Sequence, residues 1–326
     1  MARQAPTEGG TMVMRGVKLA GLFVGYGLVG MTGDYAAGLW AQDAGPVMAD
    51  RARVEAEPVV EVDLDLDLDL DDVRVDVRVG ASDDCSFAVD RTASVPVGGA
   101  SGLSVSSGSG DLRVEGRAGL DEVRVVGRAC ASEEDWIDDL RVTLERRGDE
   151  LVLTTHYPDR DGRRSRSGRT VARIDLIVEV PLGMAADIED SSGGMIVRGT
   201  GATRIDDSSG EIVVDGIRGS LTIDDSSGGI DVRDVGGAVR IDDGSGEIEV
   251  SAVRGPVTIA DGSGSIDVVE VDQDVVVERD GSGSISVRDI QGGFSVLRDG
   301  SGSIRHSGVA GAVDVPEKKR RNRRGN

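Results

Sequence analysis

The chain has 326 residues, enough for two domains and a sizeable core, yet only 2% of them are aromatic and 48 are glycine. Its core must therefore be built from Val, Ile and Leu. The formal net charge of -22 argues against a nucleic-acid-binding body, because phosphate contacts need clustered Lys and Arg. Cationic partners, metal ions included, suit this charge better.

Residues 1–41 have the pattern of a secretory signal, in which Arg15 and Lys18 precede the apolar run 19–31 and small residues follow. The run is too short for an ordinary membrane span. We therefore predict a cleaved signal and an exported protein, located in the periplasm, the outer envelope or at the cell surface; an uncleaved anchor is the alternative. The stretch GYGLVG at 25–30 matches the dinucleotide fingerprint only formally, since no βαβ pattern surrounds it.

An acidic low-complexity segment occupies residues 42–80. Within it, VDLDLDLDLDDVRVDVRV at 62–79 alternates apolar and charged residues with a period of two, and the phase changes at Asp71 and Asp72. A phase change of this kind predicts a hairpin that turns at these two residues and pairs Leu70 with Val73. A disordered acidic linker is the alternative interpretation.

Residues 81–182 form a non-repetitive β region with one short helix. Strands are predicted near residues 112–114, 122–126, 141–146 and 150–155, with a turn at 147–149 between the last two. The helix is predicted at 132–140, where Ser132 can act as the N-cap and the apolar Trp136 and Leu140 are four residues apart.

The two cysteines, Cys85 and Cys130, are the only ones in the chain. Export makes a disulfide between them a reasonable prediction, and two buried free thiols are the alternative. An arginine cluster in a Ser- and Gly-rich loop favours a solvated hairpin loop over an anion site; its members are Arg160, Arg163, Arg164, Arg166 and Arg169.

A repeat occupies residues 183–315. Seven aspartates, each followed by Ser-Ser-Gly or Gly-Ser-Gly, recur at spacings of 17, 18, 18, 18, 19 and 19 residues; they are Asp190, Asp207, Asp225, Asp243, Asp261, Asp280 and Asp299. The period is shorter than that of helical repeats, and each unit alternates with a period of two. The sequence therefore predicts an all-β fold with a single-chain β-solenoid of about seven coils, two strands per coil.

Apolar residues fall in fixed columns of this repeat. One column begins with Met195 and continues through Ile212 and Ile230, and two columns on the return strand begin at Leu221 and Ile223. We expect each residue to lie on its counterpart one coil earlier, so that stacking buries the columns. His306 stands in a valine column of the last coil, which favours an end cap over a ligand role.

The corner aspartates themselves need an explanation. Stacked at about 4.8 Å, neighbouring carboxylates repel by about 1 kcal/mol even in water. One interpretation is that each carboxylate accepts hydrogen bonds from the backbone of its own corner, as in an Asx-turn. The other is bound Ca²⁺, with all seven aspartates as candidate ligands. No other cofactor is predicted.

The tail at 316–326 carries six basic residues and one acid. It is either a solvated end that stops the last coil from stacking on another molecule, or a docking segment for an anionic envelope surface.

The repeated corner of the type DGSGSIDV, together with the upstream segments RVVGRACASEEDW and LRVTLERRGDELVL, resembles the bacterial putative-adhesin family of β-strand-repeat proteins, whose domain has no established function. The resemblance covers roughly residues 82–315. It implies an exported β-solenoid with an adhesion or envelope role, and it implies no catalytic residues.

The predicted function is that of an exported, non-enzymatic envelope or surface protein, an adhesin that presents a repetitive acidic solenoid face to a surface macromolecule. The alternative is a calcium-binding structural solenoid of the envelope. A polysaccharide-acting β-helix enzyme is disfavoured, because aromatic sugar platforms are nearly absent and His156 and His306 are the only histidines. We predict neither a small-molecule substrate nor a nucleic-acid partner.

Overall fold

The structure is a computed structural model that describes residues 85–158 and 171–316. These residues belong to one compact unit, Val75–Asn326. The predicted signal, the acidic segment with its hairpin, the arginine cluster and the tail from residue 317 onward lie outside the described residues.

The described residues form strands almost throughout. In chain order the elements are β1 (Phe87–Pro96), β2 (Gly102–Ser106), β3 (Leu112–Arg117), β4 (Glu122–Ala131), α1 (Glu134–Ile137), β5 (Arg141–Arg147), β6 (Glu150–His156), β7 (Ala172–Pro181), β8 (Ala185–Asp190), β9 (Met195–Arg198), β10 (Thr203–Asp207), β11 (Ile212–Ile217), β12 (Leu221–Asp225), β13 (Ile230–Val235), β14 (Val239–Asp243), β15 (Ile248–Val253), β16 (Val257–Asp261), β17 (Ile266–Val271), β18 (Val275–Asp280), β19 (Gly283–Ile290), β20 (Phe294–Val296), β21 (Gly302–Val309) and β22 (Val313–Asp314).

The strands build two sheets of eleven strands each. Sheet A has the order β1-β4-β7-β3-β9-β11-β13-β15-β17-β19-β21, and sheet B has the order β22-β20-β18-β16-β14-β12-β10-β8-β2-β6-β5. From β8 onward each coil contributes one strand to each sheet, and neighbouring coils pair in parallel. The predicted all-β solenoid of about seven coils with two strands per coil is confirmed.

The apolar columns stack in register, as the repeat predicts. Ile205 pairs with Ile223, Ile223 with Ile241, and Ile241 with Ile259, and all four side chains are at most 1% exposed. No single coil can bury such a face, so the recurrence of the same residue type supplies the core while the parallel ladder satisfies the backbone.

The change of spacing from 18 to 19 residues has a visible cause. Between β16 and β18 the register shifts after Ile259, so that Ala260 pairs with Arg279 and Glu278 is the inserted residue. Asp261 and Asp280 still face each other, because the bulge absorbs the insertion before the corner. The corner therefore keeps its position in every coil although the strand length varies.

The non-repetitive β region closes one end of the two sheets. Its strands β1, β4 and β7 pair antiparallel, as do β5 and β6, which turn at Gly148 and Asp149 as predicted. In the same region β2 and β3 stack in parallel on β8 and β9. They form a coil that precedes the repeat and carries no corner aspartate.

The predicted helix is shorter than expected and has a different cap. It spans Glu134–Ile137 with Glu133 at the N-cap position and no side-chain cap. The prediction that Ser132 caps it was wrong: Ser132 pairs with Val171, donating its N–H to that residue's carbonyl and accepting the N–H of Val171 on its hydroxyl. Trp136 is nevertheless buried, as the spacing predicted.

Cys85 and Cys130 form a disulfide whose Cα atoms are 5.5 Å apart. Cys130 belongs to β4, so the bridge ties the start of the described chain to sheet A. At the other end of the sheet, His306 is exposed on β21 opposite Val287, with its ring centroid 6.1 Å from that of Phe294. Of the described residues, none lies in a helix with the length and apolarity that a membrane crossing requires.

Candidate functional site

The corner aspartates point into the solenoid. Six of them are at most 6% exposed, and we call these six the inner aspartate file: Asp190, Asp207, Asp225, Asp243, Asp261 and Asp280. Asp299, in the last coil, is only partly buried. Parallel pairing sets each aspartate of the file opposite the next, for example Asp225 opposite Asp243. The structure thus brings the predicted residues together in one line.

Four of the corners satisfy one carboxylate oxygen locally. Oδ1 accepts the backbone N–H of the serine two residues later, at 3.3 Å for Asp207, 3.2 Å for Asp225, 3.1 Å for Asp243 and 3.0 Å for Asp261. This is the Asx-turn geometry, and it confirms the first of the two interpretations of the corners. The Asx-turn provides a hydrogen-bond donor for Oδ1 only.

The second carboxylate oxygen is different. Among the described residues, no hydrogen-bond partner lies near the buried Oδ2 of Asp190, Asp207, Asp225, Asp243 or Asp261. Burial raises the pKa of Asp190, Asp225, Asp243 and Asp261 to about 6. It also raises the pKa of Asp207. Desolvation is the largest cause in each case, and it outweighs the backbone hydrogen bonds that favour the anion.

The described residues contain no group of three or more His, Cys, Asp or Glu side chains arranged to hold a metal ion. The file supplies its carboxylates in a line instead, whereas Ca²⁺ needs six to eight oxygen ligands around one point. The calcium hypothesis therefore stays a prediction.

A second file of carboxylates lies on the outer face of sheet B, and the sequence reasoning missed it. We call it the outer acidic file: Glu189, Asp206, Asp224 and Asp242. Each residue immediately precedes a corner aspartate, and the pairs Glu189–Asp206, Asp206–Asp224 and Asp224–Asp242 are in direct register. The doubled acids in the repeat were the available signal, because successive residues of a strand face opposite sides.

Arginines compensate the outer acidic file only at some positions. Arg204 Nη2 lies 3.6 Å from Asp206 Oδ2, and Arg279 Nη2 lies 3.0 Å from Asp242 Oδ1. Within the described part of the chain, neither Glu189 nor Asp224 forms an ion pair. Like charges opposite each other in a sheet are destabilising, so this face carries uncompensated negative charge.

The outer face of sheet A has an apolar groove of about 670 Å³. Val126, Ile177, Ile196 and Val213 line it, and the first two are about half exposed. Four carboxylates and two arginines also line it, so the charge of the lining is net negative; they are Asp90, Asp111, Asp175, Glu211, Arg113 and Arg128. The outward position of the repeat is apolar in the coils of Ile196 and Val213 and becomes polar from Asp231 onward. The groove suits an apolar group attached to a cation.

No protein-family model matches this chain, and no curated protein matches it. The resemblance to the adhesin family therefore stays a prediction. The chain is distantly similar to a putative cell adhesion protein from Clostridium sporogenes ATCC 15579 (12% identity, covering 70% of this chain and 99% of that chain, TM-score 0.30). It is also distantly similar to a putative adhesin from Bacteroides fragilis NCTC 9343 (11% identity, covering 72% of this chain and 99% of that chain, TM-score 0.39) and to a putative lipid binding protein from Parabacteroides distasonis ATCC 8503 (14% identity, covering 70% of this chain and 97% of that chain, TM-score 0.37). Likenesses this distant assign no function to the chain.

Proposed function

We propose that this chain is an exported, non-enzymatic protein of the cell envelope or cell surface, an adhesin that presents its outer acidic file to a cationic macromolecule. The observation that carries the proposal is the in-register line of Glu189, Asp206, Asp224 and Asp242 on one face. Carboxylates about 4.8 Å apart form a repetitive surface that matches closely spaced amines or guanidinium groups.

The apolar groove of sheet A favours the same class of partner. Its apolar floor fits the apolar side chains of a basic segment, and its four carboxylates outnumber its two arginines. A polycationic protein segment meets the requirements of both surfaces, whereas an anionic polymer meets those of neither.

The positions of the two histidines support a non-enzymatic role. His156 Nε2 lies 3.2 Å from Thr143 Oγ1 on the hairpin of β5 and β6, whereas His306 belongs to β21 at the far edge of the other sheet. They share no site, so within the described residues neither can pair with the other in acid–base chemistry.

The disulfide between Cys85 and Cys130 supports export, because such bonds persist in oxidising compartments. Fractionation of the native host tests this part of the proposal. We expect the chain with the periplasm or the envelope, with residues 1–41 absent from its mass. An intact chain in the cytoplasmic fraction contradicts export.

Binding of a fluorescent octalysine peptide at low salt tests the acidic face. The double variant Asp206→Asn/Asp224→Asn should weaken binding about tenfold, because two exposed ion pairs contribute up to about 1 kcal/mol each. The matched control Asp215→Asn/Asp231→Asn removes the same charge from sheet A and should weaken binding less than about twofold. Equal weakening by both variants would mean that net charge alone attracts the peptide, and the outer acidic file would lose its assigned role.

A further inference from the structure

The inner aspartate file presents a chemical problem that the proposed function leaves open. Its Oδ2 atoms are buried, and for Asp190, Asp207, Asp225, Asp243 and Asp261 they lack a hydrogen-bond partner among the described residues. A buried charged oxygen without a donor is costly. The cost recurs in five successive coils, each time on the same atom of the same residue type, which points to one missing component for this line of carboxylates.

That component must supply either hydrogen-bond donors or positive charge along a line. We propose that the inner aspartate file is a proton-binding site, in which a carboxylic acid in one coil donates its O–H to the carboxylate of the neighbouring coil. The proton comes from the solvent and no bond other than O–H is formed or broken. The solenoid then gains stability as protons bind.

The coil before the repeat shows this arrangement with a different donor. There Ser107 occupies the position of a corner aspartate, since β2 pairs with β8 and Ser106 lies opposite Glu189. The Ser107 hydroxyl donates a hydrogen bond to Asp190 Oδ1. An O–H group thus bridges two successive coils at the start of the file. It reaches Oδ1 of Asp190 and leaves Oδ2 for a donor from the next coil.

The register favours protons over a metal ion. Asp207, Asp225, Asp243 and Asp261 lie opposite one another in successive parallel pairs, with strands about 4.8 Å apart. An O–H···O⁻ bond of about 2.6 Å between the carboxyl groups of neighbouring coils is the contact that the proposal requires along this line. The corner also covers the carboxylate, because Asp243 is only 1% exposed.

The charged groups that face the file are mainly acidic. Asp207 and Asp243 raise the pKa of Asp225, Asp261 and Asp242 raise that of Asp243, and Asp280 raises that of Asp261. Asp206 acts in the same way on Asp207, and Asp111 with Asp207 on Asp190. The opposing groups are Arg279 near Asp261, the Ser107 hydroxyl at Asp190, and backbone N–H groups. On sheet A the inward positions next to the corners are isoleucines such as Ile230 and Ile248.

The expected pH dependence follows from these directions. In the folded chain burial raises the pKa of Asp225, Asp243 and Asp261 to about 6, whereas aspartates of the unfolded chain release their protons near pH 4. Stability contributed by bound protons is therefore fully present below about pH 4 and is lost as the pH rises through about 6. Lowering the pH from about 6 to about 4 should therefore raise the free energy of unfolding of this solenoid. In most proteins the protonation of paired carboxylates in acid lowers it.

Two variants of equal charge separate the file from general electrostatics. Asp225→Asn/Asp243→Asn/Asp261→Asn replaces inner carboxylates with amides, which keep an acceptor for the serine N–H and add a donor toward the next coil. Asp206→Asn/Asp224→Asn/Asp242→Asn makes the same change one residue earlier, on the outer acidic file. The urea midpoint is measured for both and for the wild type near pH 5 and near pH 7.5.

We expect the wild type to have the higher midpoint near pH 5. Near pH 7.5 the urea midpoint of the inner variant should be higher than that of the wild type. The midpoint of the inner variant should also differ little between the two pH values, whereas the outer variant should keep the difference that the wild type shows. Infrared spectra near pH 5.5, where ordinary aspartates are ionised, should show protonated carboxyl groups in the wild type and fewer in the inner variant.

Three results would overturn the proposal. One is an equal change of pH dependence in both variants, which would assign it to net charge. Another is the absence of protonated carboxyl absorption near pH 5.5. The third is a wild-type midpoint that rises with added Ca²⁺ at neutral pH together with a lowered midpoint in the inner variant, which would show that a cation, and not a proton, neutralises the file.

Discussion

Each coil of the solenoid turns at two corners, and the two are built differently. At the aspartate corner the inward residue is a carboxylate such as Asp243, whose Oδ1 accepts the N–H of Ser245. At the opposite corner the inward residues are apolar and at most 1% exposed, namely Ile217, Val235, Val253, Val271 and Ile290. The interior is therefore lined by stacked carboxylates at the aspartate corner and by stacked aliphatic side chains at the opposite corner.

The glycines of the two corners differ as well. At the aspartate corner a glycine recurs in every coil, and a Cβ on Gly264 would lie 1.5 Å from the carbonyl oxygen of Gly246. At the opposite corner a left-handed residue recurs, but it is a glycine such as Gly216 in only three coils and Asp234, Ala252, Glu270 or Asp289 in the others. The nearest atom to a Cβ on Gly216 is 3.8 Å away. Contact between stacked backbones, more than the positive φ, makes a glycine obligatory.

The largest expected effect comes from placing an aspartate at the wrong corner. Val253→Asp should lower the free energy of unfolding at neutral pH by about 4 kcal/mol or more, because its neighbours in the file, Val235 and Val271, offer no hydrogen bond. Urea unfolding followed by far-UV circular dichroism measures the loss.

The control for this variant is Val253→Ala, which removes apolar contacts and introduces no charge. We expect it to cost about 2 kcal/mol. If Val253→Asp is no more destabilising than Val253→Ala, the opposite corner accommodates a carboxylate and the distinction between the two corners disappears.

A smaller effect is expected from adding one methyl group to a glycine at each corner. Gly264→Ala should cost about 3 kcal/mol, since its Cβ collides with a backbone carbonyl that cannot move without shifting a coil. Gly216→Ala at φ 70° should cost about 1 kcal/mol, the left-handed penalty less the gain from a stiffer unfolded chain. Thermal unfolding of the two proteins compares them directly, and equal losses would contradict the steric explanation.

Much of this comparison could be predicted from the sequence. The column that contains Val250 and the recurrence of Asp243 predicted the coil, because stacking in register requires the same residue type at each level. Burial of a carboxylate could not be predicted in this way, since a corner aspartate reads equally well as a solvated turn residue.

Three further features of the structure were missed for identifiable reasons. Predicting the outer acidic file requires knowing which acid of each doubled pair faces inward, and in the pair Asp224 and Asp225 it is Asp225. The prediction of the helix cap failed because Ser132 pairs with Val171, 39 positions away, and the local sequence pattern does not contain this tertiary contact. The apolar groove combines β4 and β7 with β9 and β11, which only the sheet order brings together.

The smallest expected effect tests the strain left at the opposite corner. Ala252 has a φ of 55°, a conformation that costs a non-glycine residue about 1 to 2 kcal/mol. Ala252→Gly should remove this strain. It also increases the entropy of the unfolded chain, which destabilises the fold by a somewhat smaller free energy than the strain. The net result should be a stabilisation of up to about 1 kcal/mol, seen as a higher urea midpoint. Ser251→Gly, one residue earlier in β15, carries the entropic cost without relief of strain, also loses the 3.4 Å hydrogen bond from Ser251 Oγ to the Val232 carbonyl, and should lower the midpoint. Should Ala252→Gly lower it equally, the left-handed position would be held by contacts of the alanine methyl group, and this corner would be as closely packed as the aspartate corner.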